Sequence, residues 1–288
     1  MIQGVIAGFP VHGFYKMFLA VKIHIRTYVN CKGILLLFFS VLTHHAFSQD
    51  YNFRNFSSEE GLLRPYVYSI TQDTLGYLWV GTDEGLLRYN GFIFEHYTTN
   101  DSLADNFVTS SIRFGGGLWF GHMNGRLSFY NGKKFNPVIY PGRNLSPITH
   151  FAKSPDGVIW MSTLSDGLFK LDKDKIVFES KIFKDQQFIH SFDFLNENEL
   201  LVGTGSGLIL CNLKKIHEIE IIRRVIEIPE SKVTSIQKMR NGSGFYIATE
   251  NDGIFKLTYD NTVLNVTKIN KDTAFDCKGR KDIFENSK

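Results

Sequence analysis

The sequence lacks the marks of several protein classes. Its 288 residues include only seven prolines and three cysteines, Cys31, Cys211 and Cys277. The cysteines are too far apart for a zinc motif, and three of them do not make a disulfide framework. The first 48 residues contain no acidic side chain, and no apolar run reaches the roughly 20 residues that a transmembrane helix needs.

The charge balance gives no reason to expect a nucleic-acid partner. The chain has a formal net charge of +3, but four of its 32 basic residues lie in the first 48 residues, which leaves 28 basic and 29 acidic residues in the remainder. A nucleic-acid-binding surface needs an excess of Lys and Arg. Apolar residues at 43% indicate a globular chain, and 14% aromatic residues with 25 glycines favour short strands and tight turns.

Residues 1–48 have the order of segments of a secretory signal peptide. Basic residues from Lys22 to Lys32 precede an apolar run of about ten residues, 33–42, and small residues precede a cut after Ser48. A buried helix is the alternative interpretation, and the absence of an amphipathic period disfavours it.

We expect translation to start at Met17, because residues 1–16 fit no part of a signal peptide. We therefore predict that the body of the chain is exported by a cleavable signal to a periplasmic or other extracytoplasmic location.

A repeat of about 41 residues runs through the body of the chain. The clearest copy contains Asp73-x-x-Gly76-x-x-Trp79-x-Gly81-Thr82, followed by Gly85-Leu86. Its tryptophan position recurs at Trp119, Trp160, Leu201 and Tyr246, with spacings of 40, 41, 41 and 45 residues. Five copies at a nearly constant spacing indicate a repeat architecture.

Each copy is predicted to form a small four-stranded antiparallel sheet. An alternating strand precedes the Asp-x-x-Gly turn, and the second strand carries the tryptophan. Asn90-Gly91 predicts a type I′ hairpin before a fourth strand from Phe92 to Tyr97. Four strands in about 40–45 residues is the size of a propeller blade. Glycine and turn residues recur about every ten residues, which disfavours a helical solenoid. The predicted fold is all-β, a β-propeller with five visible blades.

The predicted organisation has three parts. These are the leader 1–48, propeller repeats at 49–269 with blade cores near 67–97, 107–140, 148–182, 189–226 and 233–269, and a polar tail at 270–288. Residues 51–62 match a fourth strand without the three strands that should precede it. We therefore expect an incomplete propeller, from a fragment of a longer protein or a prematurely terminated frame.

The motif from Asp73 to Leu86 resembles the two-component regulator propeller repeat, and residues 53–62 resemble the usual opening segment of that family. The resemblance spans about residues 51–269. The second blade departs from the pattern, because His122 replaces the usual Thr and Arg126 the usual Leu, and the fourth blade lacks the tryptophan.

The resemblance implies the periplasmic sensor region of a hybrid two-component histidine kinase that recognises carbohydrate breakdown products. Such receptors have two propellers, an immunoglobulin-like domain, a membrane helix and a kinase. No kinase motif or second long apolar segment is found here, so we expect neither enzyme activity nor a cofactor. The expected partners are an oligosaccharide-like ligand or an envelope protein, the missing blades or second propeller, and a second copy in a homodimeric full receptor.

The resemblance to a propeller also predicts where a ligand would bind. The loops that lead into the first strands and the loops between second and third strands share the face around the channel mouth. That face is predicted to carry Arg64, Tyr66, Asp83, Glu84, Asp105, Asn106, His122, Asn124, Asp166 and Asn251. Aromatic, carboxylate and amide groups suit a sugar ligand. Taken singly, each polar residue is also an ordinary turn residue.

Other repeated residues are assigned structural roles. Trp79, Trp119 and Trp160 are predicted to pack between blades, because they recur at one blade position. Asp73 and Asp156 lie in repeated turns, where their side chains can bind backbone amides. The histidines at 96, 122, 150, 190 and 217 occupy different blade positions, which argues against a shared metal site.

Two alternative functions stay open from the sequence. A secreted propeller enzyme is one, because lyases of propeller fold share a similar Gly-x-x-Trp spacing, although the Asp box of sialidases is absent. A scaffold that binds another envelope protein is the other.

Overall fold

The computed structural model describes residues 56, 61–62, 66–138, 144–172, 175–180, 188–214, 218–260 and 263–269. The chain divides into two units, residues 1–55 and 56–288, and the described residues belong to the second. The predicted leader, Arg64, most of the segment 51–62 and the polar tail from 270 lie outside the described residues. Within the described ranges, no helix is long and apolar enough to cross a membrane.

The described residues form twenty strands in five four-stranded sheets, and in each sheet the strands are antiparallel and follow chain order. Blade 1 comprises β1 (Ser69–Gln72), β2 (Leu78–Gly81), β3 (Leu86–Tyr89) and β4 (Phe94–Tyr97). Blade 2 comprises β5 (Val108–Phe114), β6 (Gly117–His122), β7 (Leu127–Tyr130) and β8 (Phe135–Val138). Blade 3 comprises β9 (Ile148–Lys153), β10 (Ile159–Thr163), β11 (Leu168–Asp172) and β12 (Lys175–Ser180).

Blade 4 comprises β13 (Ile189–Phe194), β14 (Glu199–Thr204), β15 (Gly207–Lys214) and β16 (Glu218–Arg224). Blade 5 comprises β17 (Val233–Lys238), β18 (Gly244–Thr249), β19 (Ile254–Asp260) and β20 (Val263–Lys268). The first strands of consecutive blades pack side by side in the order β1, β5, β9, β13, β17. The prediction of an all-β propeller with four-stranded blades is confirmed.

The hairpin between β3 and β4 differs from the sequence-based prediction. The connection has four residues instead of two, and β4 begins at Phe94 rather than at Phe92. Asn90 causes the difference, because its Oδ1 accepts hydrogen bonds from the amides of Phe92 at 2.9 Å and Ile93 at 3.0 Å. This Asx-type turn uses one left-handed residue, Gly91 at φ +100°, where a type I′ turn needs two.

Aromatic residues fill the space between blades 1 and 2. Trp79 on β2 has no exposed surface. Its ring centroid lies 5.8 Å from that of Phe120, 4.8 Å from Tyr130 and 6.0 Å from Phe135, all of which belong to blade 2. Burying one such side chain stabilises the fold by about 1.5–3 kcal/mol. The predicted role of this tryptophan in packing between blades is confirmed.

The glycine that follows the tryptophan position allows the next blade to approach closely. A Cβ atom on Gly121 would lie 2.5 Å from Cγ2 of Ile148, which is the first residue of β9. Gly81 and Gly203 are in the same position, and their Cβ atoms would lie 2.8 Å from Val108 Cγ1 and 2.6 Å from Val233 Cγ1. The spacing of first strands around the propeller therefore depends on this small residue.

Candidate functional site

In four blades the loop that leads into the first strand is bonded to the loop between the second and third strands. The backbone bonds run from Met123 N to Phe107 O (3.1 Å), Leu164 N to Pro147 O (2.8 Å), Gly205 N to Phe188 O (3.1 Å) and Glu250 N to Lys232 O (2.9 Å). The two kinds of loop therefore lie on one face, which we call the loop face.

A threonine hydroxyl closes the loop between the second and third strands in four of the five blades. Thr82 Oγ1 donates to the carbonyl oxygen of Gly85 at 2.7 Å and accepts from the amide of Glu84 at 3.2 Å. The same donation joins Thr163 to Gly167 (3.3 Å), Thr204 to Gly207 (2.9 Å) and Thr249 to Gly253 (2.8 Å). The threonine of the repeat thus has a structural role.

His122 takes the place of this threonine in blade 2, and its predicted position at the channel mouth is wrong. The side chain has no exposed surface, and its Nε2 lies 2.8 Å from Oγ of Ser128. Burial lowers the pKa of His122 to about 4, so the imidazole is neutral near pH 7. A residue at the threonine position points into the blade whatever its polarity, which explains why His122 is inaccessible to a ligand.

Four of the predicted binding residues stabilise the loop face itself. Asp105 Oδ2 accepts a hydrogen bond from the amide of Asn124 at 3.3 Å, and Asn124 Nδ2 donates to the carbonyl oxygen of residue 104 at 3.2 Å. Asn106 Oδ1 accepts from the amide of residue 99 at 2.8 Å, and Asp166 Oδ2 accepts from the amide of residue 146 at 2.6 Å. These contacts support the interpretation as turn residues, and a binding role for them stays a prediction.

The other predicted residues are spread along the loop face. Tyr66 is 65% exposed, and Glu84 and Asn251 are also exposed. Asp83 has one buried carboxylate oxygen, Oδ1, without a hydrogen-bond partner among the described residues. Desolvation raises the pKa of Tyr68, and the negative charge of Asp83 raises it further. Arg64 lies outside the described residues.

The five first strands line a cavity of about 360 Å³, which we call the central channel. Every blade contributes to its wall, and loop residues such as Met123, Leu164 and Lys232 place its opening on the loop face. The polar and aromatic residues of the lining whose side chains are not fully buried are Tyr68, Thr109, Ser111, Thr149, His150, His190, Thr234 and Gln237. Its volume lies within the range of small-molecule sites, about 300–1,000 Å³.

A β-bulge repeated in four blades supplies part of the wall. Near the start of each first strand one residue has no partner across the sheet, and the register shifts there. The residues at these bulges are Thr109, Thr149, His190 and Thr234. A bulge re-aims a side chain, and all four residues line the central channel.

The wall of the channel combines polar and apolar groups and is almost uncharged. Lys232 is the charged residue of the lining, and its Nζ lies 3.1 Å from Oε1 of Glu250. Burial lowers the pKa of His150 to about 4, so this imidazole is neutral near pH 7. Hydroxyl, amide and neutral imidazole groups lie beside the ring of Tyr68. Such a surface can donate and accept hydrogen bonds and can stack on a ring.

Sequence reasoning missed most of the channel wall. It chose loop residues, whereas the wall is built by the first strands. The sequence does contain a signal for the bulge residues. In three blades the bulge residue directly precedes a serine, and this serine pairs with the small residue of the second strand; the serines are Ser110, Ser191 and Ser235. Within the described ranges, no three His, Cys, Asp or Glu side chains come together as a metal site.

Three comparisons relate this chain to known proteins. The family described as "Two component regulator propeller" matches residues 61–84. The chain is 34% identical over 68 residues to "Histidine kinase P4" of Formosa agariphila, an alignment that covers 24% of this chain and 5% of that protein. The chain thus spans a small part of that relative.

Solved structures share the fold. The extracellular domain of a protein described as the hybrid two component system BT3049 from B. thetaiotaomicron superposes with a TM-score of 0.61 at 23% identity, covering 74% of this chain and 31% of that one. Virginiamycin B lyase from Staphylococcus aureus superposes with a TM-score of 0.57 at 17% identity, covering 70% of each chain. The five copies of the motif lie on five propeller blades, and the first copy overlaps the segment that matches the two-component regulator propeller repeat.

Proposed function

We propose that this chain is an extracytoplasmic ligand-sensing propeller module of a two-component signalling receptor. The observation that carries the proposal is the central channel, formed jointly by five blades of a regulator propeller repeat. The relative named as a histidine kinase and the fold shared with a two-component extracellular domain support it. The signal-like leader supports an extracytoplasmic location.

The ligand class follows from the chemistry of the channel wall. Because the wall is almost uncharged, a strongly ionic ligand would lose hydration without gaining a counter-charge. A neutral polyhydroxylated ligand can instead bind the hydroxyls of Thr149 and Thr234 and the amide of Gln237, and stack on Tyr68. We therefore propose a carbohydrate-like ligand such as a short neutral oligosaccharide.

The channel also supplies a means of signalling. A ligand shifts an equilibrium between two receptor states only by its difference in affinity for them. A ligand that contacts several first strands at once binds best to one relative arrangement of the blades. The proposed signal is therefore a change in blade arrangement, passed on to the parts of the receptor beyond this chain.

The ligand proposal is tested with a panel of short neutral oligosaccharides and two matched variants of blade 5. Gln237→Trp places a large side chain in the channel, and Lys256→Trp makes the same change at an exposed position of β19 outside the lining. We expect saturable binding that falls at least tenfold in Gln237→Trp and is unchanged in Lys256→Trp. Binding that is equal in both variants, or no binding to any member of the panel, contradicts the proposed ligand site.

The receptor proposal is tested in the source cells. Antibody raised against the propeller is used on separated membrane and soluble envelope fractions. A membrane-bound band several-fold heavier than the chain is expected for the sensor part of a kinase. A soluble band near the mass of the chain contradicts the receptor proposal and favours a free-standing binding protein.

An enzyme is the second candidate, because the channel presents two imidazoles from adjacent blades, His150 and His190. A histidine acts best as a general base when its pKa lies near the working pH. The pKa of about 4 makes His150 a weak base at neutral pH, which favours the binding role. Turnover of oligosaccharides or cyclic peptides, abolished in His190→Gln, would support the enzyme instead.

A further inference from the structure

A second cavity lies between blades 1 and 2, away from the loop face. Its volume is about 390 Å³, and the turns from β1 to β2 and from β5 to β6 form part of its rim. Its lining comprises Asp73, Thr74, Leu75, Tyr77, Arg88, Arg113, Phe114, Gly115, Gly116, Gly117, Leu118, Tyr130, Gly132 and Lys153. It shares no lining residue with the central channel, so a ligand bound in this cavity would contact a different set of residues.

Positive charge predominates in this cavity. Three cationic side chains, Arg88, Arg113 and Lys153, line it together with one carboxylate, Asp73. Arg113 and Lys153 are exposed, and in the described part of the chain neither forms an ion pair. Arg113 Nη1 makes one long contact, 3.5 Å, to the backbone oxygen of Asp73. Both cations are therefore available to an incoming anion.

The single carboxylate leaves the cavity with an excess of positive charge, and its oxygens are already hydrogen-bonded within its own turn and to Trp79. Asp73 Oδ1 accepts from the amides of Leu75 at 2.9 Å and Tyr77 at 3.0 Å. Asp73 Oδ2 accepts from Nε1 of Trp79 at 2.9 Å. A carboxylate with three donors has little capacity left for a further cation.

The charge results from a local departure from the repeat. Arg113 stands six residues before Trp119, as Asp73 stands six residues before Trp79, so blade 2 has a cation where blade 1 has the turn carboxylate. Blade 2 can dispense with the carboxylate because its turn is a two-residue hairpin. Gly115 and Gly116 are both left-handed, at φ +62° and +79°, as a type I′ turn requires.

Arg88 and two tyrosines complete the wall. The guanidinium of Arg88 lies 5.0 Å from the ring centroid of Tyr77 and is paired with Glu95, but its Nε is buried without a hydrogen-bond partner. Tyr77, Tyr130 and Leu118 give the cavity an apolar side. The glycine turn borders open space, since a Cβ on Gly116 would meet no atom within 4 Å. This part of the rim therefore leaves the cavity accessible.

We propose that this cavity binds a small organic anion, with its acidic group between Arg113 and Lys153 and its ring or carbon body against the tyrosines. Arg suits carboxylate, sulfate and phosphate groups alike because its donors match their planar or tetrahedral oxygens. The site lies on the side of the blades that the neutral channel ligand does not use. The chain would therefore respond to two chemically different ligands.

Calorimetric titration of the full chain with benzoate, phenyl sulfate and phenyl phosphate tests the site, with phenol as the neutral control. These probes share a ring and differ in the acid, so they also identify the preferred group. The variants Arg113→Gln and Lys153→Gln remove one charge each, Arg113→Lys keeps the charge, and Lys256→Gln removes an exposed charge elsewhere. Thermal unfolding checks that each variant folds.

We expect at least one anion to bind saturably and phenol not to bind. Affinity should fall at least tenfold in Arg113→Gln and Lys153→Gln, since each variant removes a charge-assisted hydrogen bond to the anion. Arg113→Lys should retain part of the affinity, and Lys256→Gln and Gln237→Trp should retain all of it. Binding that is insensitive to Arg113 and Lys153, or no binding of any anion, overturns the proposal and leaves the channel proposal unaffected.

Discussion

The carboxylate of Asp73 accepts a hydrogen bond from the indole nitrogen of Trp79, with 2.9 Å between Oδ2 and Nε1. The two most recognisable residues of the repeat are therefore partners. The aspartate orders its own turn through its other oxygen, and it satisfies the one polar atom of a tryptophan that is otherwise completely buried. A turn residue and a packing residue thus depend on each other.

Replacing Asp73 should destabilise blade 1. Asp73→Ala removes the acceptor of three N–H groups, one of them on a buried indole, and we expect the free energy of unfolding to fall by about 2–3 kcal/mol. Denaturant unfolding measures this fall. Glu197→Ala, a change at an exposed acidic turn residue of blade 4, is the control and should alter it by less than about 0.5 kcal/mol. Equal effects of the two variants would contradict the role given to Asp73.

The glycine after the tryptophan position should not tolerate even a methyl group. In Gly121→Ala the new Cβ would lie 2.5 Å from both Ile148 Cγ2 and Ser110 Oγ, so β9 must move, at a cost of about 1–3 kcal/mol. Gly205→Ala is the matched control, because its Cβ would meet the nearest atom, His190 Nε2, at 3.8 Å. The melting temperatures of both variants test this, and an unchanged value for Gly121→Ala would refute the packing argument.

How far the fold could be predicted is best seen in the repeat. The spacing of Trp79, Trp119 and Trp160 was enough to predict blades, because a large apolar residue at a constant period has to pack on its neighbours. The turn at Asn90 could not be predicted in detail. The Asn-Gly pair is compatible with a two-residue hairpin. The longer loop forms because the Asn90 side chain accepts hydrogen bonds from two backbone amides.

The candidate site was harder to predict than the fold. Loop residues such as Asp105 and Asn124 have the composition of a binding surface, yet their polar groups bind each other. The channel wall depends on bulges at Thr149 and His190. A single sequence does not show where the pairing register of two strands shifts by one residue. His122 was misplaced because polarity alone does not show the direction of a side chain.

His122 makes stability depend on pH in the acid range. Burial lowers the pKa of His122 from 6.5 to about 4. Between pH 6.5 and pH 4 this imidazole is therefore protonated in the unfolded chain and neutral in the folded chain. Stability is therefore complete above pH 6.5 and falls as the pH drops towards 4. The parent chain should lose about 2–3 kcal/mol of its free energy of unfolding between pH 7 and pH 4.5 through His122. His122→Thr, which introduces the residue found in the other blades, should abolish this part of the loss. A difference between variant and parent that does not change with pH would contradict this.

Asp193 on β13 should make the free energy of unfolding depend on pH in the opposite direction to His122. Desolvation raises its pKa from 3.8 to about 6, while the amide of Phe194, 2.7 Å from Oδ1, and the charge of Lys238 oppose the rise. The folded chain holds the extra proton, so stability falls as the pH rises from about 4 to 6. Asp193→Asn keeps an acceptor for the amide and should raise the free energy of unfolding at pH 7.5 by on the order of 2 kcal/mol relative to the parent, with no such gain at pH 3.5. Urea unfolding at the two pH values measures both, and equal gains would contradict the raised pKa.

The central claim is that a carbohydrate-like ligand binds in the channel, and histidine NMR tests it most directly. His150 and His190 line the channel, whereas His96 and His122 do not, so the chain has its own internal control. The imidazole signals, assigned with His→Gln variants, are followed while the full chain is titrated with the oligosaccharide that binds best. The account predicts saturable shifts at His150 and His190 with His96 and His122 unchanged. Shifts at His96 or His122 alone, or none at His150 and His190 while the ligand binds, would place the ligand site outside the channel.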